Sequence, residues 1–341
     1  MNSEASSHQA VDVAPEVLVQ LRACRRPMER QALPGAPLRV RVETSPALRR
    51  ALPGRLVLAA EAKRAERAWE RSPALRESAL LGMEAIVAGT HREAEAPELA
   101  RRGVIDAAVR ESLLWQPWPR PVLDAESLEH LRRAAHSGRG MIASNCHIGP
   151  FNMGISIYRD EVQRTPHILG GPWMFEAPKP GLWGRRTARW WEGARRGGAR
   201  MVKTSGGAFA TAVALLQAGE VVIITYDMPG SRTTQFLGKP VDLASGTARM
   251  AYTTDSLVIP VRIYRKHART YAEYAPALDA RDFDSADGMH DALAAIHGRW
   301  ILDEPEALQD PRRPGAWEQW AGRERWARPP RDGVDREPRR S

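Results

Sequence analysis

The sequence holds few cysteines, few lysines and no long apolar run. Two cysteines, Cys24 and Cys146, stand among 341 residues, too few for a disulfide framework and without the paired spacing of a zinc site. No uninterrupted apolar run approaches the roughly 18 residues of a membrane span. Residues 1–15 have no apolar centre, so we expect no secretory signal there. These absences favour a folded protein of a reducing compartment that meets a membrane only from its surface.

Lysine supplies only five of the fifty basic residues, and arginine supplies the rest. The formal net charge is +9, which favours anionic partners, and arginine binds phosphate and carboxylate groups with a planar fork that lysine lacks. No nucleic-acid-binding motif is recognisable, so we expect no nucleic-acid partner. The 43% of hydrophobic and 27% of charged residues are typical of globular proteins, which excludes a fibrous or wholly disordered chain.

Composition divides the chain into an arm, one large domain and a tail. The arm mixes Ser, Ala, Pro and Arg without a sustained period, so we expect it to be loosely ordered. From Leu56 to Leu114, apolar positions three and four residues apart predict two or three helices. The predicted bounds are 1–50 for the arm, 51–326 for the domain and 327–341 for a basic tail. Within the domain we expect a helical layer at 51–120, an α/β core at 121–310 and a Trp-rich end at 311–326.

Within the predicted core, short apolar runs alternate with helical stretches, which is typical of parallel β-α units. The sequence therefore predicts an α/β fold with a mostly parallel central sheet flanked by helices, together with the N-terminal helical layer. It also predicts a helix over Gly207–Ala218 and an edge strand over Tyr271–Tyr274. The predicted strands of the central sheet are Met141–Asn145, His167–Leu169, Arg200–Lys203, Val221–Tyr226 and Leu257–Tyr264.

Two of these strands are followed by a side chain that can carry chemistry. His147 comes after Met141–Asn145, and Asp227 comes directly after Val221–Tyr226. In open α/β sheets, functional groups gather beyond the carboxyl ends of strands, so parallel packing would bring this imidazole and carboxylate together. Cys146 offers a nucleophilic thiol as an alternative. However, consecutive strand residues point to opposite faces, which separates that thiol from the imidazole.

The order of these blocks resembles the lysophospholipid-acyltransferase-like superfamily, and within it the branch of bacterial late lipid A and phosphatidylinositol mannoside acyltransferases. Residues 141–152, MIASNCHIGPFN, resemble the family's block of an apolar strand, His, an apolar residue, Gly, two further residues and an acid. Residues 221–261, VVIITYDMPGSRTTQFLGKPVDLASGTARMAYTTDSLVIPV, resemble a later block of strand, Asp, Gly turn and helix start. Residues 301–320, ILDEPEALQDPRRPGAWEQW, resemble the family's ending.

The resemblance implies an acyltransferase in which His147 removes the proton of an acceptor hydroxyl, whose oxygen attacks an acyl thioester. The family's first block ends in an acid that orients the His ring, and this chain has Asn152 at that position. An amide oxygen accepts the ring N–H but carries no charge, and in a serine protease the same exchange costs about 10⁴ in rate. We expect Asp227 to supply the carboxylate, with Asn152 as an orienting or acceptor-binding neighbour. A reaction that needs less help from the base is the alternative.

Glycine-rich turns near these strand ends are candidates for binding the reacting groups. Gly149, or Gly230 with Ser231 and Arg232, would present amides or a guanidinium to the developing oxyanion or to an acceptor phosphate. The Ser-Gly-Gly turn at residues 205–207 precedes a helix, where it is either a phosphate site or a plain helix N-terminus.

Six arginines lie between positions 185 and 200, interleaved with Trp190 and Trp191. We expect Arg185, Arg186 and Arg189 to dock an acidic acyl carrier protein, the phosphates of coenzyme A or anionic lipid headgroups. Tryptophan suits the membrane interface, although indole and arginine together also suit single-stranded nucleic acid. A solvated helix face is the alternative to all of these.

The combined prediction is a cytoplasmic acyltransferase that is peripheral on the inner face of the plasma membrane. Acyl-ACP or acyl-CoA is the expected co-substrate, and the acceptor is a lipid, a glycolipid or a small molecule. No metal and no other cofactor is expected. Three alternatives stay open: a soluble tailoring O- or N-acyltransferase of a natural product, a non-catalytic lipid- or carrier-binding member of the fold, and a nucleic-acid-binding protein.

Overall fold

The N-terminal part of the chain is helical and belongs to the folded body. The computed structural model describes residues 14–117, 120–266 and 269–308. The described part of the predicted arm forms three short helices, α1 (Pro15–Arg25), α2 (Leu38–Glu43) and α3 (Pro46–Ala51). Val17 and Cys24 of α1 are buried. Residues 14–50 are thus more ordered than the expectation of a loose arm, because contacts with distant parts of the chain, rather than a local period, hold them.

Helix α1 is held by residues that come much later in the sequence. The Gln20 amide donates hydrogen bonds to the carbonyl of Ser205, at 2.5 Å, and to that of Gly206. The Cys24 thiol donates to the carbonyl of Met201 at 3.4 Å. The turn that the sequence offered as a phosphate site therefore uses its carbonyl groups to bind α1.

Three longer helices form the predicted N-terminal layer. Ser72 and Pro73 show how one of them starts, since the Ser72 hydroxyl accepts the backbone N–H of Leu75 at 3.2 Å and proline takes the first helical position. Leu99 and Ile86 are fully buried on the faces that turn toward the rest of the molecule. The helices of the layer are α4 (Gly54–Arg71), α5 (Pro73–Val87) and α6 (Ala96–Trp115).

A mostly parallel sheet forms the centre of the molecule, and the predicted fold class is confirmed. Short apolar runs make its inner strands because both faces of the sheet are covered by helices. All five predicted strands of the central sheet are present. The strands are β1 (Val122–Leu123), β2 (Met141–Asn145), β3 (Pro166–Gly170), β4 (Arg200–Lys203), β5 (Val221–Thr225), β6 (Pro229–Phe236), β7 (Lys239–Leu243), β8 (Leu257–Lys266), β9 (Arg269–Tyr274) and β10 (Leu278–Asp279).

The strand order of the large sheet is β1-β9-β8-β2-β5-β3-β4, with β10 paired to β8. Strands β8, β2, β5, β3 and β4 run parallel to one another, whereas β9 and β10 are antiparallel to β8. The predicted edge strand over residues 271–274 is β9, but β1 pairs with its outer side, so it is not an edge. Strands β6 and β7 form a separate hairpin.

Helices cover both faces of the sheet, and the two largest of the four apolar clusters lie on opposite faces. The larger apolar cluster joins the N-terminal layer and the last helix to one face, with Ile142 and Val222 at its centre. The smaller one contains Met141 and Ala143 of the same strand, because successive strand residues point to opposite faces. The remaining α-helices are α7 (Ala125–His136), α8 (Ile155–Ile157), α9 (Leu182–Arg196), α10 (Ala208–Gln217), α11 (Gly246–Thr254) and α12 (Ala286–Asp303).

The last described residues return to the start of the site region. Ile148 and Leu308 form an isolated antiparallel bridge, and the amide of Gly149 donates to the carbonyl of Ala307 at 2.7 Å. The predicted Trp-rich end and basic tail lie outside the described residues. Within the ranges that the structure describes, no helix is long and apolar enough to cross a membrane.

Gly140, at the entry to β2, provides a test of this packing. A Cβ atom there would overlap the Leu216 carbonyl and approach Ser256 Oγ to 2.6 Å. Gly140→Ala should therefore lower the free energy of unfolding by about 1–3 kcal/mol, the usual cost of overpacking. Gly35→Ala is the matched control, because the space around its Cβ position is open. Denaturant unfolding of both variants checks this, and equal stabilities would contradict the close approach at Gly140.

Candidate active site

The register between β2 and β5 brings two polar side chains together. These strands are parallel neighbours, and Asn145 at the end of β2 pairs with Thr225 at the end of β5. His147 and Asp227 each follow two residues later, so they leave the sheet at the same edge and the same height. The expectation that the imidazole and the carboxylate meet beyond the strand ends agrees with this geometry.

Asp227 holds His147 by three hydrogen bonds. The His147 ring nitrogen Nδ1 lies 3.0 Å from Asp227 Oδ1, and the His147 backbone N–H donates to both carboxylate oxygens at 3.0 and 3.1 Å. A carboxylate only accepts, so Nδ1 carries the proton and Nε2 is left as the basic nitrogen. The Asp227 side chain is 2% exposed and the His147 side chain 31%, so the pair presents the ring to ligands and keeps the carboxylate inside.

Asn152 does not share this arrangement. It lies in the turn after His147 and lines the same cavity, but among the described residues no hydrogen bond joins its amide to the imidazole. Cys146 is buried and does not line the cavity. Burial, followed by the negative charge of Asp227, raises the pKa of the Cys146 thiol well above its ordinary value. A thiolate is the nucleophilic form, so the geometry disfavours the cysteine alternative.

A buried polar layer lies behind the pair, on the opposite face of β2. Ser144 Oγ and His297 Nε2 are hydrogen-bonded at 2.9 Å, and the Tyr226 ring stacks on His297 with centroids 5.0 Å apart. The Tyr226 hydroxyl donates to the carbonyl of His290 at 2.9 Å. Burial lowers the pKa of His297 to about 4, with the charge of Asp227 acting in the opposite direction. His297 is therefore a neutral, fixed partner of β2.

A cavity of about 900 Å³ opens in front of the imidazole. Its lining is mainly apolar and includes Leu113, Ile155, Ile168 and Ile263. This size lies within the range of small-molecule sites, and a mostly apolar wall with a few polar groups is typical of them. The arrangement is a base, oriented by a buried carboxylate, beside a space that suits a hydrocarbon chain.

The glycine turns make structural contacts of their own, and of the four predicted residues only Gly149 lines the cavity. The backbone N–H of Gly149 donates to the carbonyl of Ala307. Gly149 has a positive φ of 58°, and a Cβ atom at this position would overlap the Ile263 carbonyl. Gly230, Ser231 and Arg232 are not among the residues that line the cavity. Gly230 and Ser231 form a bulge at the start of β6. The Arg232 guanidinium faces α12, with Nε 3.4 Å from Asp287 Oδ1 and Nη2 3.5 Å from Asp291 Oδ2. Gly230, Ser231 and Arg232 are therefore not placed to bind a substrate in this cavity, whereas a ligand role for Gly149, which lines it, remains a prediction.

The predicted arginine dock is corrected as well. Arg185 and Arg189 are buried, and burial lowers the pKa of both guanidinium groups. Arg185 donates to the Thr44 hydroxyl at 2.7 Å and to the Pro34 carbonyl at 2.9 Å. Arg189 donates to the carbonyls of Leu114 and Gln116 at 2.8 and 2.9 Å. These side chains bind backbone and neighbouring hydroxyl groups, so they tie α9 to other parts of the chain.

Arg186 stands apart from its two neighbours, because it lines the cavity and forms an ion pair with Glu111. Its position is consistent with a role in substrate binding but not with an open electrostatic dock.

Two exposed indoles lie at the cavity, in a pair that we call the aromatic rim. Trp173 and Trp183 line the cavity, are about half exposed, and have ring centroids 5.7 Å apart. Such exposed indoles are unusual on a soluble surface and favour an interaction site. The aromatic rim consists of Trp173 and Trp183.

Two residues of the site region were not singled out from the sequence. Asn145 lines the cavity, and its position two residues before His147 is the signal that it shares a strand face with that residue. His297 carries no such signal, because it lies far along the chain in a helix and meets β2 only through tertiary packing.

Comparison with known proteins finds one matching family and similar solved structures. The family model described as bacterial lipid A biosynthesis acyltransferase matches residues 118–308, more than half of the chain. Among solved structures, the crystal structure of the 1-acyl-sn-glycerophosphate (LPA) acyltransferase PlsC from Thermotoga maritima is similar at 14% identity and a TM-score of 0.36, covering 73% of this chain and 95% of that one. No curated protein matches the sequence.

The buried imidazole of His297 predicts a loss of stability in acid. Its folded-state pKa of about 4 lies below the ordinary 6.5, so the unfolded chain binds the proton first and stability falls as the pH drops from 6.5 to 4. The loss from this group is about 3 kcal/mol. His297→Gln keeps a hydrogen-bonding group beside Ser144 but does not titrate, so its stability should fall less across this interval.

Unfolding free energies measured at several pH values check this expectation. His136→Gln, at the exposed end of α7, is the matched control and should follow the wild type. Parallel curves for wild type and His297→Gln would contradict a neutral buried imidazole.

Proposed function

The chain belongs to the bacterial lipid A biosynthesis acyltransferase family and is an acyltransferase, and from this premise we propose that it transfers a fatty acyl group from acyl-ACP or acyl-CoA to a hydroxyl of a lipid or glycolipid. The observation that carries the proposal is the imidazole of His147, oriented by buried Asp227 and facing an apolar cavity. Family membership supports lipid acylation, and the side-chain geometry supports the assignment of the base.

The proposed reaction uses the two nitrogens of His147 differently. Nε2 takes the proton of the acceptor hydroxyl while its oxygen attacks the thioester carbon, and the carbonyl electrons move to the carbonyl oxygen. The tetrahedral intermediate then collapses, the C–S bond breaks, and the thiolate leaves as a thiol with the proton from the imidazolium. Asp227 keeps Nδ1 protonated and stabilises the imidazolium that forms between the two steps. The proposed chemistry requires no metal.

We further propose that the protein acts as a peripheral enzyme on the anionic inner face of the plasma membrane, where both acyl donors are present. Beside the aromatic rim, residues 38–56 carry exposed aliphatic side chains interleaved with exposed arginines. Bonds from Arg185 to Thr44 and Pro34 tie this segment to α9, which begins at the rim. We call it the N-terminal face, and it consists of Leu38, Arg41, Val42, Leu48, Arg50, Leu52, Arg55 and Leu56.

The composition of the N-terminal face favours a lipid surface over a protein partner. Basic and aliphatic residues in short helices are typical of segments that lie in the headgroup region, where each arginine gains about 1 kcal/mol near anionic lipid. Indoles such as Trp183 are well suited to the same depth. A lipid acceptor would then enter the cavity directly from the bilayer, past the aromatic rim.

Replacing the base is the direct test of the reaction. His147→Ala should lower acyl transfer by about 10²–10⁴, the usual contribution of a general base, without changing the fold. The assay follows a labelled acyl group from acyl-CoA or acyl-ACP to extracted lipid acceptors, with circular dichroism as the folding check. His136→Ala is the control for loss of an exposed histidine. Near-wild-type turnover in folded His147→Ala protein would refute the assignment.

The orienting carboxylate is tested with two complementary substitutions. Asp227→Asn should lower turnover strongly, by up to about 10⁴, because the amide favours the wrong ring tautomer. Asn152→Asp should change turnover and its pH dependence little, because Asn152 is not bonded to the imidazole. The reverse ranking in pH-rate profiles would move the orienting role to Asn152. Efficient transfer to water-soluble acceptors but not to lipids would favour a tailoring enzyme instead.

Vesicle binding tests the N-terminal face. Leu52→Ser combined with Leu56→Ser should weaken binding to phosphatidylcholine vesicles that contain phosphatidylglycerol by about tenfold or more, because apolar area returns to water. Leu81→Ser, also exposed but on α5, is the matched control. Charge reversal at Arg50 and Arg55 should weaken binding to anionic vesicles only, and the loss should shrink as salt rises. Unchanged binding of all these variants would exclude this face as the dock.

A further inference from the structure

The side chain of Asn145 is buried, faces the cavity and has no partner. It is 6% exposed and lines the cavity, and its Oδ1 atom is buried without a hydrogen bond. Across the ranges that the structure describes, no hydrogen bond involves its side-chain amide. A buried polar group left unpaired costs about 1–3 kcal/mol. An amide that has no partner among the described residues, on the cavity wall and at the strand end that leads to the base, points to a ligand as its partner.

The alternation of β2 puts this amide on the reactive side of the sheet. Ile142 and Cys146 pack into the larger apolar cluster, and Ser144 reaches His297 on the same face. Asn145 lies on the opposite face and lines the cavity together with His147. Residues two apart on a strand are separated by about 7 Å between Cα atoms. The amide and the imidazole therefore border the same small region of the cavity.

Three other hydrogen-bond donors near this point already have partners. The backbone N–H of His147 binds Asp227, and that of Gly149 binds the Ala307 carbonyl. The guanidinium of Arg186 binds Glu111. Asn152 lines the cavity too, but it is partly exposed, where water weakens a hydrogen bond to a developing charge. Asn145 is thus the buried side-chain amide at this point of the cavity.

We propose that the amide of Asn145 binds the carbonyl oxygen of the acyl thioester and stabilises the oxyanion formed there. The inference rests on the proposed acyl transfer. As the acceptor oxygen bonds to the thioester carbon, the carbonyl electrons move onto the oxygen, and the Nδ2–H bond to it strengthens. When the C–S bond breaks, the electrons return and the charge is lost. Oδ1 is the buried end of the amide, so the Nδ2–H group is the end that can face the substrate.

The burial of Asn145 makes this bond effective. A buried donor on a mainly apolar wall stabilises charge more strongly than one in water, and it needs no rearrangement during the reaction. The bond gains strength only as charge develops, so it lowers the barrier more than it improves ground-state binding. The expected signature is therefore in kcat and not in KM.

The test compares Asn145→Ala and Asn145→Asp with wild type. Both should lower kcat by about 10²–10³, the effect of removing one oxyanion donor, with Asp the worse because its charge repels the oxyanion. KM for the acyl donor should stay within a few-fold. Binding of S-alkyl-coenzyme A, a thioether without the carbonyl, should not change. Thr211→Val is the matched control. It also removes a buried, unpaired polar group, here a hydroxyl that does not line the cavity, and its kcat should equal that of wild type.

Each outcome separates this inference from the function on which it depends. Absence of transfer by wild type would overturn the proposed function itself. Transfer by wild type with kcat of Asn145→Ala near the wild-type value would overturn only the role of Asn145. A lower melting temperature, or weaker binding of the thioether, would also count against it, because it would show that the amide supports the fold or the pocket shape. Unchanged stability with a loss confined to kcat is the expected result.

Discussion

The parallel pairing of β2 with β5 is the constraint on which the site depends. Asn145 and Thr225 end their strands in register, so the residues two positions later reach the same point in space. A slip of one residue would turn the imidazole or the carboxylate to the opposite face. The glycines at both ends of β2 serve this register, since Gly140 and Gly149 lie against the backbone of neighbouring segments where a side chain has no room.

The face of β2 behind the reactive pair is fixed by polar contacts rather than by apolar packing alone. Ser144 bonds to His297, and Tyr226 stacks on that ring, so two adjacent strands share one helix partner in a fully buried layer. Buried polar networks of this kind give little net stability but specify one arrangement. Here the specified arrangement is the position of β2 relative to α12, and hence the position of His147.

Arginine has an internal structural role in this chain as well as a surface one. Arg185 and Arg189 are desolvated, and the fold accommodates them because each fork meets several oxygen atoms at once. Through these contacts α9 holds residues 34–44 and the end of α6 in place. The exposed aliphatic and basic residues of the N-terminal face therefore project from a tethered segment, so that the surface they form is held beside the aromatic rim.

The sequence by itself determined the fold class, the strands of the central sheet and the two strand-end residues, His147 and Asp227, because these follow from local apolar periodicity and from the geometry of parallel sheets. It also determined the family, since the order and spacing of the motif blocks can be read directly from the amino-acid sequence. Tertiary structure alone decided which carboxyl or amide meets the imidazole, because Asn152 and Asp227 both fit the pattern and only strand register places one of them at 3.0 Å. It also decided that Arg185 and Arg189 point inward and that Gly149 gives its N–H to Ala307. Burial and hydrogen-bond partners come from segments far apart in the chain, which no local pattern encodes.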